Sequence, residues 1–204
     1  MKLINLIKQK HNSWLNYKAN LKQKNRTYFT IVDTLETLLV ALLLALVIRH
    51  YIVMSSVVPT GSMIPTLKIE PFHERLFVNK FIYRFSDPKR GDIVVFKSPF
   101  GDKKDYVKRC IGLPGDKLKI KKGIVYINNQ VLMLPGVKVN RDYSYFDEVT
   151  VPKDCYFMMG DNRANSADSR FWKAYGFSSF VPKKYLQGKA IFTFWPPNRM
   201  RVLR

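Results

Sequence analysis

The sequence predicts a mostly β fold, in which a domain of coiled, antiparallel β-sheet follows a single N-terminal transmembrane helix. Two observations favour this fold class. One long apolar stretch, Leu35–Val53, lies near the N-terminus, and many short β-rich runs separated by glycine and proline follow it. With 204 residues the chain is long enough for one domain with appendages. Its hydrophobic fraction of 47% excludes wholesale disorder.

The N-terminal tail, residues 1–33, is strongly basic. It contains seven lysines and arginines before its first acidic residue, Asp33. The apolar segment that follows would span roughly 28 Å as a helix, just enough for a bilayer core. We therefore predict a transmembrane helix over residues 34–54. A buried core helix is the alternative, because the uninterrupted apolar run, Leu38–Ile48, is short.

The orientation of this helix follows from the charges on its two sides. Only Lys68 is basic among residues 54–70, whereas the tail before the helix is rich in lysine and arginine. The positive-inside rule therefore places residues 1–33 in the cytoplasm and the β-rich domain, residues 55–204, on the outer side of the membrane.

The region after residue 55 is typical of short strands joined by turns. Glycine and proline mark the turns, as at Leu113–Asp116. In one strand the alternation places Tyr106, Lys108 and Cys110 on one face. Lys117–Ile127 and Val131–Leu134 form a predicted hairpin around Asn128-Asn129. The other predicted strands are Arg75–Phe81, Asp92–Lys97, Tyr106–Ile111, Cys155–Met159 and Ala190–Trp195.

The stretch Pro59–Pro65 suits a candidate nucleophile. Two prolines enclose Thr60-Gly61-Ser62, which predicts a stiff, irregular loop that holds the Ser62 hydroxyl in one position. An ordinary Pro/Gly loop between the anchor and the domain is the alternative.

A hydrolase that works without a metal needs a base for such a hydroxyl. Of the three histidines only His73 lies near Ser62 in sequence, in a predicted loop. Lys108 is the other candidate, because an inward-facing lysine on an apolar strand is desolvated, which favours its neutral amine. An outward lysine on an edge strand is the alternative. The two cysteines, Cys110 and Cys155, could form one bridge or none, and we expect no metal and no cofactor.

Four segments, in this order, resemble the sequence boxes of the bacterial type I signal peptidases. The four segments are Pro59–Leu67, Arg90–Phe96, Tyr106–Asp116 and Gly160–Arg170. The segment Gly160–Arg170 is dense in short hydrogen-bonding side chains and on its own could equally be a polar surface loop or a support for the base. Each alone is a weak signal, but their order after a transmembrane segment is specific. The resemblance implies a serine endopeptidase of the bacterial cell membrane that removes signal peptides from exported preproteins, cutting after small residues (Ala-x-Ala).

The resemblance also implies a role for each matching residue. Ser62 would be the nucleophile and Lys108 the general base, with Ser166 orienting the lysine amine. The backbone N–H of Ser62 and the hydroxyl of Thr60 would form the oxyanion hole. The supporting ion pairs would be Asp161 with Arg109 and Asp168 with Arg170. The substrate pockets would involve Val58, Pro59, Met63, Leu67, Tyr106 and Val107.

The implied partners are signal peptides of preproteins and the phospholipid membrane, and no nucleic acid is expected. The sequence departs from the family pattern at three places. Thr60 stands where many members have serine, Ala164 replaces a residue that is commonly acidic, and Glu70–Arg75 reads as a short insertion. The short distance from Asp116 to Gly160 leaves no space for the second domain that some members insert.

Three other interpretations stay open from the sequence. The net charge of +20 also suits a membrane-tethered protein that binds nucleic acid or anionic lipid. Ser/Lys chemistry is shared with autoproteases of the SOS-repressor type, against which the transmembrane segment argues. The third is a preprotein adaptor that does not cut. The sequence leaves the oligomeric state open.

Overall fold

The structure is a computed structural model that describes residues 2–102, 104–140 and 142–203. Met1 and Arg204, the ends of the predicted tail and of the predicted β-rich domain, lie outside the described residues, as do Lys103 and Arg141. The chain divides into two compact units, Met1–Arg49 and His50–Arg204. The candidate site lies in the second unit.

The first unit is helical. Helix α1 (Lys2–Lys24) occupies the predicted tail, where no helix was predicted, and α2 (Arg26–Tyr51) follows it. Asn25 caps α2, because its side-chain oxygen accepts a hydrogen bond from the backbone N–H of Tyr28 at 3.0 Å. The helix ends at Tyr51, three residues before the predicted transmembrane helix does, since Val53 already begins a strand.

Helix α2 is the one helix among the described residues that is long and apolar enough to cross a membrane, with a mean hydropathy of 2.4 in its most apolar window. None of its residues is buried. A core helix of a soluble domain would bury one face, which α2 does not do in this structure.

The second unit is built from antiparallel strands, which confirms the predicted mostly β fold. Its elements are β1 (Val53–Val57), β2 (Arg75–Asn79), a short helix α3 (Ile82–Phe85), β3 (Ile93–Lys97), β4 (Asp105–Gly112), β5 (Lys117–Lys121), β6 (Ile124–Ile127), β7 (Gln130–Val131), β8 (Phe146–Thr150), β9 (Cys155–Met159), β10 (Val181–Pro182), β11 (Leu186–Trp195) and β12 (Arg201–Val202). The larger sheet has the order β1-β2-β11-β3-β4-β9-β10, with β12 paired to β11. The smaller sheet has the order β7-β6-β5-β8.

The prediction of one continuous strand over Lys117–Ile127 is wrong. The chain turns at Lys122-Gly123, so β5 and β6 form a first hairpin, and Asn128-Asn129 turns the chain again into β7. Both turns have two consecutive residues with positive φ, at 49° and 76° in the first and at 51° and 66° in the second. Two-residue hairpin turns of this backbone geometry match the twist of the strands they join.

Among the described residues of the second unit, three apolar clusters form the core. One of them includes the buried side chains Val58, Met63, Leu67, Leu76, Val78, Ile93, Val95, Val107, Ala190 and Leu203. It joins β2, β3, β4 and β11 to the segment between β1 and β2. The segment that contains Ser62 therefore rests directly on the core of the larger sheet, which fixes its position relative to β4.

Candidate active site

Ser62 lies on the loop Val58–Thr66, which we call the Ser62 loop. It leaves β1, makes one 3₁₀ turn over Gly61–Met63 and leads towards β2. The side chain of Met63 is fully buried in the core below the loop. Ser62 itself is only 8% exposed. The turn thus presents the Ser62 hydroxyl in a sheltered position that the apolar core holds in place.

Lys108 lies opposite Ser62 on β4 and is 3% exposed. Its Nζ is 2.5 Å from Ser62 Oγ. The hydroxyl of Thr60 also donates to Ser62 Oγ, at 3.2 Å. The two candidates that the sequence placed 46 residues apart are therefore in direct hydrogen-bond contact. His73 has a different partner, because its Nδ1 donates to the backbone carbonyl of Val58 at 2.8 Å.

The surroundings of Lys108 favour its neutral amine. Burial lowers the pKa of Lys108 from 10.5 to about 8, since a desolvated ammonium is disfavoured. The carboxylates of Asp168 and Asp161 act in the opposite direction, and Arg170 adds to the lowering. At a pKa of about 8, about one molecule in ten carries the neutral amine at pH 7. An amine of this kind can accept a proton from an adjacent hydroxyl.

The first expected ion pair, Asp161 with Arg109, lies fully buried below the site. Arg109 donates from Nε to Asp161 Oδ1 at 2.8 Å and from Nη2 to Oδ2 at 2.6 Å. Asp161 also accepts a hydrogen bond from Thr66 Oγ1 at 2.5 Å. Since Arg109 follows Lys108 on β4 and Thr66 ends the Ser62 loop, this two-point contact ties the strand to the loop.

The second expected ion pair, Asp168 with Arg170, is also present and is buried. Arg170 Nε donates to Asp168 Oδ1 at 2.8 Å, and Asp168 Oδ2 accepts from the backbone N–H of Gly160 at 3.0 Å. Arg170 makes a further ion pair with Asp142, a residue that sequence reasoning missed. No local sequence signal marks Asp142, which lies in an irregular segment far from the four boxes.

Ser166 is buried next to the site, but its expected hydrogen bond with Lys108 is not formed. Among the described residues, Ser166 Oγ has no hydrogen-bond partner. It lies beside Gly160, where a side-chain Cβ would be 2.3 Å from Ser166 Oγ and 2.4 Å from the carbonyl oxygen of Ser62. Ser166, Gly160 and Ser62 are thus close neighbours.

Asn162 holds the Ser62 loop at two points and was not singled out from the sequence. Its backbone N–H donates to the carbonyl of Ser62, and its side-chain amide donates to the carbonyl of Gly61, both at 3.0 Å. The signal for it was present, since Asn162 belongs to the polar stretch that begins at Gly160. These two bonds orient the peptide groups on either side of the Ser62 Cα.

A groove with a volume of about 740 Å³ opens in front of Ser62 and Lys108. Of the predicted pocket residues, Val58, Pro59, Tyr106 and Val107 line it. One side of the groove is formed by the end of β1 and the Ser62 loop, and the other by the first half of β4. Thr60, Asn165 and Ala167 also line it.

The predicted places of Met63 and Leu67 in the substrate pocket need correction. Both are fully buried in the core cluster that includes Val58 and Val107. Their side chains therefore lie beneath the groove and shape it only through the residues that they support.

The described residues contain no group of three or more His, Cys, Asp or Glu side chains that could hold a metal ion. Both cysteines are free: Cys110 is buried and Cys155 is half-buried. Burial raises the pKa of the Cys110 thiol well above its usual range, so this thiol is an unreactive core residue.

The chain is similar to signal peptidases along most of its length. A family model described as signal peptidase, peptidase S26, matches residues 31–195. The chain is 39% identical over 173 residues to a probable signal peptidase I-2 of Synechocystis sp., which covers 82% of this chain and 75% of that protein. It is 40% identical over 182 residues to signal peptidase I S of Bacillus subtilis, which covers 84% and 93% of the two chains. A crystal structure of a signal peptidase I from Enterococcus faecalis is 30% identical, with a TM-score of 0.41, and covers 51% of this chain and 97% of that one.

Proposed function

Because the chain belongs to the signal peptidase family, peptidase S26, and is a signal peptidase I protease that cleaves signal peptides, we propose that Ser62 is its nucleophile and Lys108 its general base. One observation carries the proposal: the 2.5 Å contact between Lys108 Nζ and Ser62 Oγ, with both side chains buried at the end of an open groove. A lysine that is both desolvated and in contact with a hydroxyl has the geometry and the lowered pKa that a general base needs.

In the proposed reaction the neutral Lys108 amine removes the proton from the Ser62 hydroxyl as Oγ attacks the carbonyl carbon of the scissile peptide bond. The ammonium formed on Lys108 then protonates the leaving amine, and an ester joins Ser62 to the signal peptide. Lys108 next takes a proton from a water molecule, which attacks the ester carbonyl. As the ester bond breaks, the Lys108 ammonium returns that proton to Ser62 Oγ, and the signal peptide leaves with a new carboxylate. Each step returns Lys108 to the neutral form from which the next one starts.

The oxyanion of the tetrahedral intermediate would be held by the backbone N–H of Ser62 and by the hydroxyl of Thr60. The position of Thr60 supports this role, because its Oγ1 is 3.2 Å from Ser62 Oγ. In the tetrahedral intermediate, Ser62 Oγ and the oxyanion are bonded to the same carbon of the substrate, so the Thr60 hydroxyl is within reach of the oxyanion. Ser166 is proposed to orient the Lys108 amine, and its unpartnered hydroxyl is available to do so when the amine loses its proton.

The groove is proposed to bind the signal peptide as an extended strand. Strand β1 is at the edge of the larger sheet, and it pairs with β2 on its other side. On β4, the pairing with β9 begins at Arg109, so no strand in the described part of the chain pairs with residues 105–108 on that side. An extended peptide between these two edges could use backbone hydrogen bonds to both. Val58, Tyr106 and Val107 would then form shallow apolar pockets that favour small side chains, in keeping with Ala-x-Ala.

We further propose that α2 spans the bacterial cell membrane, with residues 1–33 in the cytoplasm and the β-rich domain outside. The apolar and wholly unburied surface of α2 supports the span, and the basic tail before it supports the orientation. Protease added to intact spheroplasts should then digest the region after Tyr51 and spare the tail. Digestion of the tail with protection of the β-rich domain would contradict this topology.

The test of the chemistry is cleavage of a preprotein by detergent-solubilised full-length chain, with sequencing of the new N-terminus. Ser62→Ala should abolish cleavage, and Lys108→Arg should do the same, because a guanidinium does not lose its proton in a protein. Cleavage at the wild-type rate by either variant would mean that another residue performs that step. Replacing the small residue before the cut by a bulky one should block cleavage if the pockets are as shallow as proposed.

A further inference from the structure

The segment Glu70–Arg75, which reads as a short insertion in the sequence, contains a fully buried carboxylate. Glu74 is 0% exposed. Its Oε1 accepts from Arg201 Nη1 at 3.1 Å and its Oε2 accepts from Arg201 Nη2 at 2.9 Å. A carboxylate buried to this extent is normally paired, and here its partner comes from β12, which pairs with β11 near the end of the described chain.

The same two residues reach both ends of the Ser62 loop. At the start of the loop, the backbone carbonyl of Glu74 accepts from the N–H of Val58 at 3.0 Å. At its end, Arg201 Nη2 also donates to the carbonyl of Thr66. Because the side chains of Glu74 and Arg201 are joined to each other, one ion pair connects the two ends of the loop that carries Ser62.

A second set of contacts continues from the end of the loop to the strand that carries the base. Thr66, whose carbonyl accepts from Arg201, donates its hydroxyl to Asp161 at 2.5 Å. Asp161 in turn is held by Arg109, the neighbour of Lys108 on β4. The position of Thr66 is therefore set from two sides, by Arg201 from β12 and by Asp161 from below the site.

We propose that Glu74 and Arg201 are positioning residues for the reaction: their ion pair clamps the two ends of the Ser62 loop and so holds Ser62 Oγ against Lys108 Nζ. The proposal rests on the function proposed above for Ser62 and Lys108. Neither side chain lines the groove, so neither touches the peptide. They act only through the loop.

The variants Glu74→Gln and Arg201→Lys test the clamp with little change in volume. In Glu74→Gln the amide keeps one acceptor oxygen but loses the negative charge. In Arg201→Lys the single ammonium cannot bind both carboxylate oxygens and the Thr66 carbonyl at once, as the planar guanidinium does. A small shift of the loop should lower kcat by about tenfold or more, with KM little changed. Water admitted beside Lys108 should also move the acidic limb of the kcat/KM profile to higher pH, because the ammonium is then better solvated.

Arg90→Lys is the matched control. Arg90 also binds both oxygens of a carboxylate, Asp116, at 2.8 Å and 3.1 Å, and it donates to a backbone carbonyl, that of Ile111. It makes no bond to the Ser62 loop. Arg90→Lys should therefore lower stability in the same way, by loss of a two-point contact with a carboxylate, without moving the acidic limb of the kcat/KM profile. The thermal unfolding temperature of each variant is measured first, and the assay is run at a temperature at which all variants are folded. A lower kcat then cannot result from a smaller folded fraction.

The outcomes separate the clamp from the function on which it rests. A fall in kcat with a shifted acidic limb in Glu74→Gln and Arg201→Lys, and no shift in Arg90→Lys, supports the clamp. Wild-type kinetics in the two variants, or a fall in kcat with an unmoved acidic limb, overturns it and leaves the pair a purely structural contact. Ser62→Ala in the same assay reports on the proposed function alone, since activity in that variant would contradict the role of Ser62 whatever the clamp does.

Discussion

Substitution of Gly160 by alanine should lower kcat through one misplaced methyl group. Gly160 follows β9 and faces the back of the Ser62 loop. A Cβ at this position would be 2.4 Å from the carbonyl oxygen of Ser62 and 2.3 Å from Ser166 Oγ, far inside any normal contact. Gly160 itself cannot easily withdraw, because its N–H donates to buried Asp168 and its carbonyl accepts from Arg163 Nε, both at 3.0 Å.

The size of the effect on kcat follows from how far Ser62 must move to relieve the clash with the added Cβ. Real Cβ atoms essentially never have contacts below 3.0 Å, so the gap between Cβ and the Ser62 carbonyl must open from 2.4 Å to at least that distance. A shift of about 0.6 Å in Ser62 is a large fraction of the displacement of about 1 Å that can cost about 10²-fold in rate. We therefore expect Gly160→Ala to lower kcat by about 10- to 100-fold, with a destabilisation of about 1–3 kcal/mol from overpacking.

The control is Gly188→Ala on β11, where a Cβ would be 2.4 Å from the carbonyl oxygen of Asn79 on β2. This clash has the same severity and the same kind of partner, but it lies within the larger sheet and away from Ser62. Steady-state cleavage of a preprotein, measured well below the unfolding temperature of both variants, compares them. A kcat for Gly160→Ala equal to that of Gly188→Ala would refute the reasoning, since the loss would then reflect the fold and not the position of Ser62.

Three further predictions concern the chemistry at Ser62. With the neutral Lys108 amine as the proposed base, kcat/KM should rise with pH through an apparent pKa of about 8, and a profile flat between pH 6 and 9 would contradict the proposal. Thr60→Val should lower kcat by about 10²–10³ while Thr60→Ser stays active; a Val variant with normal kcat would remove Thr60 from the oxyanion hole. Lys108→Met should be inactive but more stable at pH 7 by up to about 3 kcal/mol, because the unfolded chain, with a lysine pKa of 10.5, binds the proton more tightly than the folded chain. Wild-type stability should accordingly rise with pH between about 8 and 10.5, and chemical unfolding curves that lack this rise, or that show it equally in Lys108→Met, would contradict the assignment.

The parts of the site that the sequence revealed are those with a local signature. The two prolines around Thr60-Gly61-Ser62 and the alternating strand around Lys108 each predict a local backbone form, and the structure brings their side chains into contact. Their contact itself could be anticipated only through the resemblance, because nothing in either segment specifies which loop lies next to which strand.

The missed features depend on contacts that are distant in sequence. Glu74 lies in a short segment with one proline and mostly polar residues, in which no local pattern indicates burial, yet it is buried and paired with Arg201, 127 residues later. The turn at Lys122-Gly123 was missed for a different reason. Lysines alternate with Leu118 and Ile120 before it, and the β-rich run Ile124–Ile127 follows directly, so both sides predict strand and only the glycine marks the turn.

The ion pairs around Lys108 resolve a conflict between rigidity and basicity. Asp161 and Asp168 anchor Thr66 and Gly160 and so build the walls of the site, but each carboxylate also favours the ammonium form of Lys108 and raises its pKa. Arg109 and Arg170 bind these same carboxylates through two bonds each and supply the opposite charge. The groups near Lys108 are therefore two ion pairs with little net charge and not two unpaired carboxylates. Burial remains the dominant influence on the pKa of Lys108. On this argument Arg170 supports the neutral amine as well as the fold, since its charge lowers the pKa of Lys108, which Asp168 and Asp161 raise.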